Sequence, residues 1–259
     1  TFLKYYATDT DLLKGLDKTL GHVALQDELR RAATTTHHGA NSTTGLADGL
    51  FNYALKTDGY VMKNSSKGYK ESIIGAYVRD PIGGVYDWVI DFDYTSLYPS
   101  IICSFNIGPN TWLAKINPTL AHDYTYKTDE VTDKTFDITL DPLYNPTVEQ
   151  WSYDTFTAFI KERNAIITPS GCIFKNHTEE KSIFYKIIKT LFQKRKEYKT
   201  LMFQCKESGD SSNQQIFDNR QMAYKILLNS LYGVLAQEYF RFFNLDLAST
   251  VTLSGRELI

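Results

Sequence analysis

Cysteine is scarce. The three that occur, Cys103, Cys172 and Cys205, are odd in number and far apart. That excludes a disulfide framework or a cysteine-held zinc site and favours a reducing compartment. No apolar run approaches the ~18 residues that would span a bilayer, and no signal-peptide pattern is readable. With 15 glycines and 7 prolines, the chain is neither low-complexity nor collagen-like. Charge of one sign is lacking as well. There are 28 basic and 30 acidic side chains, for a net −2. The chain as a whole is therefore no basic nucleic-acid coat, and any such role needs a local patch. An initiator methionine is missing too. The chain opens on Thr1 and ends at Ile259 within a helical pattern, so a piece of a longer polypeptide is expected.

What is present is an ordinary globular composition, 42% hydrophobic and 22% charged over 259 residues. That length suggests one large domain or parts of two or three. Residues 9–33 read as a helix, 34–45 as a polar loop and 46–57 as a short helix. Tyr77-Val78, the turn at Pro81–Gly84 and the run Tyr86–Asp93 suggest a hairpin leading into a strand. In that strand Trp88, Ile90 and Phe92 alternate with Val89, Asp91 and Asp93. Thr168–Gly171 predicts a tight turn between two short strands. Residues 182–206 and 214–236 carry the two longest helical patterns, joined by the polar loop 207–213, which predicts an antiparallel helical hairpin. Pattern alone gives an α+β class.

Charge reverses sharply along the chain. Residues 121–160 hold eight acids against two lysines, whereas 171–206 hold nine bases against three acids. On a helical wheel Phe184, Ile187, Ile188, Leu191, Phe192, Tyr198 and Met202 form one stripe about 140° wide. Arg195 and Lys199 fall inside it, four residues apart and roughly 6 Å apart at Cβ. Two adjacent cations suit a polyphosphate, with Arg as a fork and Lys as a point charge. The alternative is that the stripe ends near Leu191 and both are surface residues. In the following helix Gln221, Lys225, Asn229 and Tyr232 gather opposite the apolar side, as a ligand face or a solvated one. Asp93 closes the apolar run before Tyr94–Ser100, and a strand-end carboxylate suits a hard cation such as Mg²⁺. A turn-capping role and Asp91 as a rival ligand stay open.

Three segments resemble one family. DFDYTSLYPSII (91–102) resembles the first polymerase signature of family B DNA polymerases, with Asp93 as its aspartate, and KILLNSLYG (225–233) is similar to the second. LFQKRKEYKTLM (191–202) resembles the basic fingers helix of the T-even-type bacteriophage members. Tyr5 and Asp9 match the third exonuclease motif of the proofreading domain, and Ile74-Gly75-Ala76 stands where the family has its connector, with Ile73 in place of a tyrosine. The third signature, Asp-Thr-Asp-Ser, does not occur in these residues.

The resemblance implies a mixed palm with an antiparallel sheet, a two-helix fingers hairpin and an N-terminal helical remnant of the exonuclease. The implied boundaries are 1–60 for exonuclease end and connector, 61–181 for palm with an insertion at 121–165, 182–236 for fingers, and 237–259 for the return to palm. It implies DNA-templated DNA synthesis with two Mg²⁺ ions, dNTP and a DNA primer-template, without a membrane, in phage or viral replication in the host cytoplasm. Asp93 and the Tyr94 carbonyl would be metal ligands. Ser96, Leu97, Tyr98, Arg195, Lys199, Lys225 and Asn229 would bind the nucleotide, with Asp93 and Lys225 catalytic. Tyr98 would stack beneath the deoxyribose, and Tyr232 and Gly233 would pack under the nascent base pair. Asp9 would have been an exonuclease metal ligand. Segment 121–160 reads as a solvated insertion without chemistry. The isolated chain is expected to be inactive. The alternatives are one half of a split polymerase, completed by a second polypeptide, and a non-catalytic DNA-binding module.

Overall fold

The computed structural model describes residues 1–62 and 75–259, so Ile73 and Ile74 of the expected connector lie outside the described residues. The chain divides into two compact units, residues 1–61 with 190–230, and 62–189 with 231–259.

In the first unit, α1 (Phe2–Leu20) and α2 (His22–Ala32) replace the single helix expected over 9–33. The break is at Gly21, whose φ of 63° is left-handed and ends α1 as a glycine cap. The Asp17 carboxylate bridges the break by accepting from the Val23 N–H at 2.8 Å. The polar stretch that follows supplies caps. Thr36 Oγ1 accepts from Gly39 N–H to start α3 (His37–Ala40), and Ser42 Oγ accepts from Gly45 N–H to start α4 (Thr43–Thr57). Leu29, Ala33, Ala40, Leu46, Ala47 and Phe51 are buried.

The second unit is built on an antiparallel five-stranded sheet in the order β3-β2-β1-β5-β4. Its strands are β1 (Trp112–Lys115), β2 (Thr135–Leu140), β3 (Thr147–Ser152), β4 (Ile166–Ile167) and β5 (Cys172–Phe174). Around it stand α5 (Leu97–Ser104), α6 (Pro118–Tyr126) and α7 (Tyr153–Arg163). The acidic stretch is no solvated insertion. It forms the β2–β3 hairpin and two helices, and its Ala121, Val131, Phe136, Ile138 and Phe156 are buried in the sheet's core cluster. Phe136 and Phe156 stack with centroids 4.5 Å apart. The reason is alternation: Phe136 and Ile138 turn inward while Thr135 and Asp137 face solvent.

The tight turn between β4 and β5 forms as expected. Gly171 has φ of 83°, and a Cβ there would stand 2.1 Å from the Ile116 carbonyl oxygen, which is backbone and cannot yield. Gly171→Ala should therefore lose about 2–4 kcal/mol of stability through left-handed strain and collision. Urea unfolding followed by tryptophan fluorescence would show it; an unchanged midpoint would contradict the geometry.

The strand expected over Tyr86–Asp93 does not form. Residues 75–95 carry no regular helix or strand. Trp88, at φ 62°, is 97% exposed. The alternation has the period of a strand, but a strand needs a hydrogen-bonded neighbour, and none pairs with this run among the described residues.

Helix α8 (Ile183–Ser208) begins in the second unit and ends in the first, and α9 (Ser211–Leu235) returns, with a turn at Gly209-Asp210. Within the first unit Tyr198 of α8 meets both Phe217 and Tyr224 of α9, with centroids 6.3 and 5.6 Å apart, as an antiparallel hairpin requires. The last helix is α10 (Leu245–Glu257), capped by Asn244. No described helix is long and apolar enough to cross a membrane.

Candidate functional site

In the second unit the first motif is an exposed segment entering a short helix. Asp91, Asp93 and Tyr94 are exposed. Neither carboxylate has a hydrogen bond or ion pair among the described residues. Tyr94 donates its hydroxyl to the Leu258 carbonyl at 3.3 Å. Asp93 thus precedes a helix rather than ending a strand.

Ser96 sits at the N-cap of α5 in the left-handed region, φ 53° and ψ 57°, with no side-chain capping bond. Such strain in a non-glycine residue is uncommon and concentrates at functional sites. The first hydrogen bond of α5 runs from Ser100 N–H to the Ser96 carbonyl. The N–H groups of Leu97 and Tyr98 precede it and have no intrahelical acceptor. Free N–H groups at a helix start favour an anion.

Tyr98 and Tyr232 pack together, centroids 4.4 Å apart at 39°. Burial pushes the Tyr232 phenol above its ordinary pKa, the neighbouring Tyr98 adds to this, and a hydrogen bond with the Thr252 side chain opposes it. Gly233, next on α9, has nothing within 4 Å of where a Cβ would stand.

In the first unit the expected cations lie on α8 and α9. Burial along α8 continues to Leu191, after which Arg195 is half-buried and Lys199 exposed. Arg195 Nε is buried without a hydrogen-bond partner. Lys199 Nζ stands 5.9 Å from the Phe203 ring centroid. On α9, Lys225 and Asn229 are exposed one turn apart. Gln221 departs from the expected polar face: it is buried and donates to Asp218 at 2.8 Å. No carboxylate lies within ion-pair reach of Arg195, Lys199 or Lys225 among the described residues. By contrast Arg220 is engaged by Glu28 at 3.3 Å, and Lys194 by Glu197 at 2.9 Å, which raises the Lys194 pKa.

Tyr5 and Asp9 stand exposed, four residues apart on α1. No group of three or more His, Cys, Asp or Glu able to hold a metal occurs among the described residues. Sequence reasoning missed Ser96's backbone strain, the Thr252 bond and the buried Asn106. Only Asn106 left a trace, as one of several asparagines beside a glycine-containing loop.

Comparison with known proteins agrees with these motifs. The model of DNA polymerase family B matches residues 44–259. The DNA polymerase of Phaeocystis pouchetii virus is 32% identical over 206 residues, covering 77% of this chain and 19% of the viral protein. The DNA-directed DNA polymerase of Enterobacteria phage T4 is 25% identical, covering 98% of this chain and 30% of the phage protein. The chain thus spans between about a fifth and a third of the length of these curated relatives. The structure of the family B DNA polymerase from Pyrobaculum calidifontis superposes with a TM-score of 0.63 at 20% identity, over 94% of this chain and 26% of that one, a likeness of fold. With a mixed helix and antiparallel-sheet architecture and both signature segments inside the matched region, the chain belongs to DNA polymerase family B.

Proposed function

We propose that this chain supplies nucleotide-binding parts of a DNA-templated DNA polymerase, which adds dNTPs to a primer 3′ end. One observation carries the reading: the charged residues that match the family's motifs have no counter-charge among the described residues. Arg195, Lys199 and Lys225 lack counter-carboxylates there, and Asp93 lacks a cation.

Each unit has its own task. In the first, the Arg195 guanidinium and the Lys199 and Lys225 ammonium groups neutralise a triphosphate, three positive charges against roughly four negative ones. Asn229, one turn beyond Lys225, offers a neutral donor and acceptor. In the second, the open N–H groups of Leu97 and Tyr98 and the uncommitted Ser96 hydroxyl take phosphate oxygens. The Tyr98 ring stacks beneath the sugar and leaves no room for a 2′-hydroxyl, the group that marks a ribonucleotide. Tyr232 and Gly233 offer a flat surface under the new base pair.

The exposed Asp93 carboxylate and Tyr94 carbonyl are hard oxygen donors, a type that fits Mg²⁺. Asp93 and the Tyr94 carbonyl would hold it, and when bound it would neutralise phosphate charge and activate the primer 3′-oxygen. With no Asp-Thr-Asp-Ser in these residues the ligand set is partial.

Calorimetric titration of the purified chain with dATP tests the reading. Binding should tighten when Mg²⁺ is added, and Asp93→Ala should remove that gain while leaving Mg²⁺-free binding unchanged. The same chain should give no single-nucleotide primer extension. Mg²⁺-dependent extension that Asp93→Ala abolishes would mean that other carboxylates here complete the site.

A further inference from the structure

We propose that Gly255 is a positioning residue for sugar selection: the missing side chain at Gly255 is the seat of the Tyr98 ring. The inference rests on the sugar-stacking role proposed for Tyr98. Gly255 is buried on α10, which packs on α5. A Cβ built there would stand 3.4 Å from Cε1 and 4.0 Å from Cδ1 of Tyr98, and 3.5 Å from Cδ1 of Ile101. These are ordinary contact distances, so the ring already lies as close to the helix backbone as one methyl group would allow. A Cγ or Oγ directed at the ring would have to displace it.

The same helix holds the second ring. Thr252 is buried three residues before Gly255, and its side chain bonds the Tyr232 phenol. Residues three apart lie on one helix face. One face of α10 therefore touches Tyr98 at Gly255 and ties Tyr232 at Thr252, while the two rings touch each other. Backbone yields far less than a side chain does. A glycine behind the ring leaves a methyl-sized space and no more, so the helix limits how far the ring can retreat. Discrimination against one extra hydroxyl depends on where that ring stands, and small shifts at such a surface are costly.

The test compares Gly255→Ala, Gly255→Ser and Gly255→Val in the full chain. Alanine adds only the tolerated Cβ and controls for folding. Serine adds one further atom and valine two. The first readout is the ratio of dATP to ATP affinity in the presence of Mg²⁺. Alanine should leave the ratio unchanged, while serine and valine should lower it by about tenfold, the scale on which one misplaced small group acts. The second readout is the fluorine resonance of Tyr98 in chain labelled with 3-fluorotyrosine, assigned through Tyr98→Phe. It should move in the serine and valine variants. An unmoved resonance in both overturns the contact. A moved resonance with an unchanged sugar ratio overturns the selective role and leaves Gly255 merely structural. An unmodified chain that binds neither nucleotide overturns the proposed function and the sugar selection with it, while the fluorine shift still decides the contact.

Discussion

Replacing Lys225 and Arg195 together with alanine should reduce dATP affinity by 100-fold or more, about 3 kcal/mol. Each group should account for about 1.5 kcal/mol or more, the lower end for a hydrogen bond to a charged partner. The reason for so large an effect is the absence of competition. Neither cation is neutralised by a carboxylate among the described residues, and Arg195 Nε is buried with no acceptor. A bound phosphate would meet the exposed ammonium of Lys225 directly, so the loss should show in calorimetry. Lys196→Ala is the control. Lys196 is exposed on α8 but lies off the stripe, and its removal should change affinity less than about twofold. Equal effects of Lys196→Ala and Lys225→Ala would reduce the face to diffuse attraction. Raising the salt concentration separates the cases further, because a diffuse field fades over a Debye length of about 10 Å at 0.1 M, whereas contact pairs persist.

Asn106→Ala should destabilise the second unit by about 3–5 kcal/mol, measured as a fall in the urea midpoint at constant slope. Asn106 is fully buried with φ of 54°. Its Nδ2 donates to the carbonyls of Lys175 and Glu180, each at 2.8 Å, and its Oδ1 accepts from Ser182 N–H at 2.8 Å. Alanine would keep the strained backbone and leave all three partners unsatisfied in the interior. Asn106→Gly removes the strain but not the lost bonds, so it should fall between wild type and alanine. Equal losses for the two would mean that the backbone conformation contributes nothing.

The asparagine matters for the site because Ser182, which it holds, caps the start of α8 by accepting from Tyr185 N–H at 2.9 Å. The adjoining Glu180 is raised by burial, but hydrogen bonds from Lys175 and Asn110 outweigh this and hold its pKa below the usual value. A depressed carboxylate contributes stability that is present above its unfolded pKa and lost as pH falls through its folded one. The node should therefore weaken on acidification.

Much of this was legible in sequence, for reasons that differ by element. The α8–α9 pair was readable because 3.6-residue periodicity and a polar break are local properties, and so was the turn at Thr168–Gly171. The cations at 195 and 199 were marked by charge in an apolar stripe, and Lys225 by its place on a polar helix face. The run 86–93 was misread because alternation reports the face a strand would show, not whether a neighbour pairs with it. Segment 121–160 was misread because net charge hides where the few apolar residues point, and Phe136 and Phe156 meet only once β2 and α7 are folded together.

By itself, then, the sequence determined the long α8–α9 pair, the ordered motifs and the family, since each is written in residues close along the chain. Tertiary structure alone decided that the matched cations and carboxylate stand without counter-charges among the described residues, that Asn106 ties three distant carbonyl and amide groups, and that Gly255 lies under Tyr98, 157 positions away. Those facts depend on long-range packing, where contact between remote residues follows from how faces stack and leaves no local pattern to read.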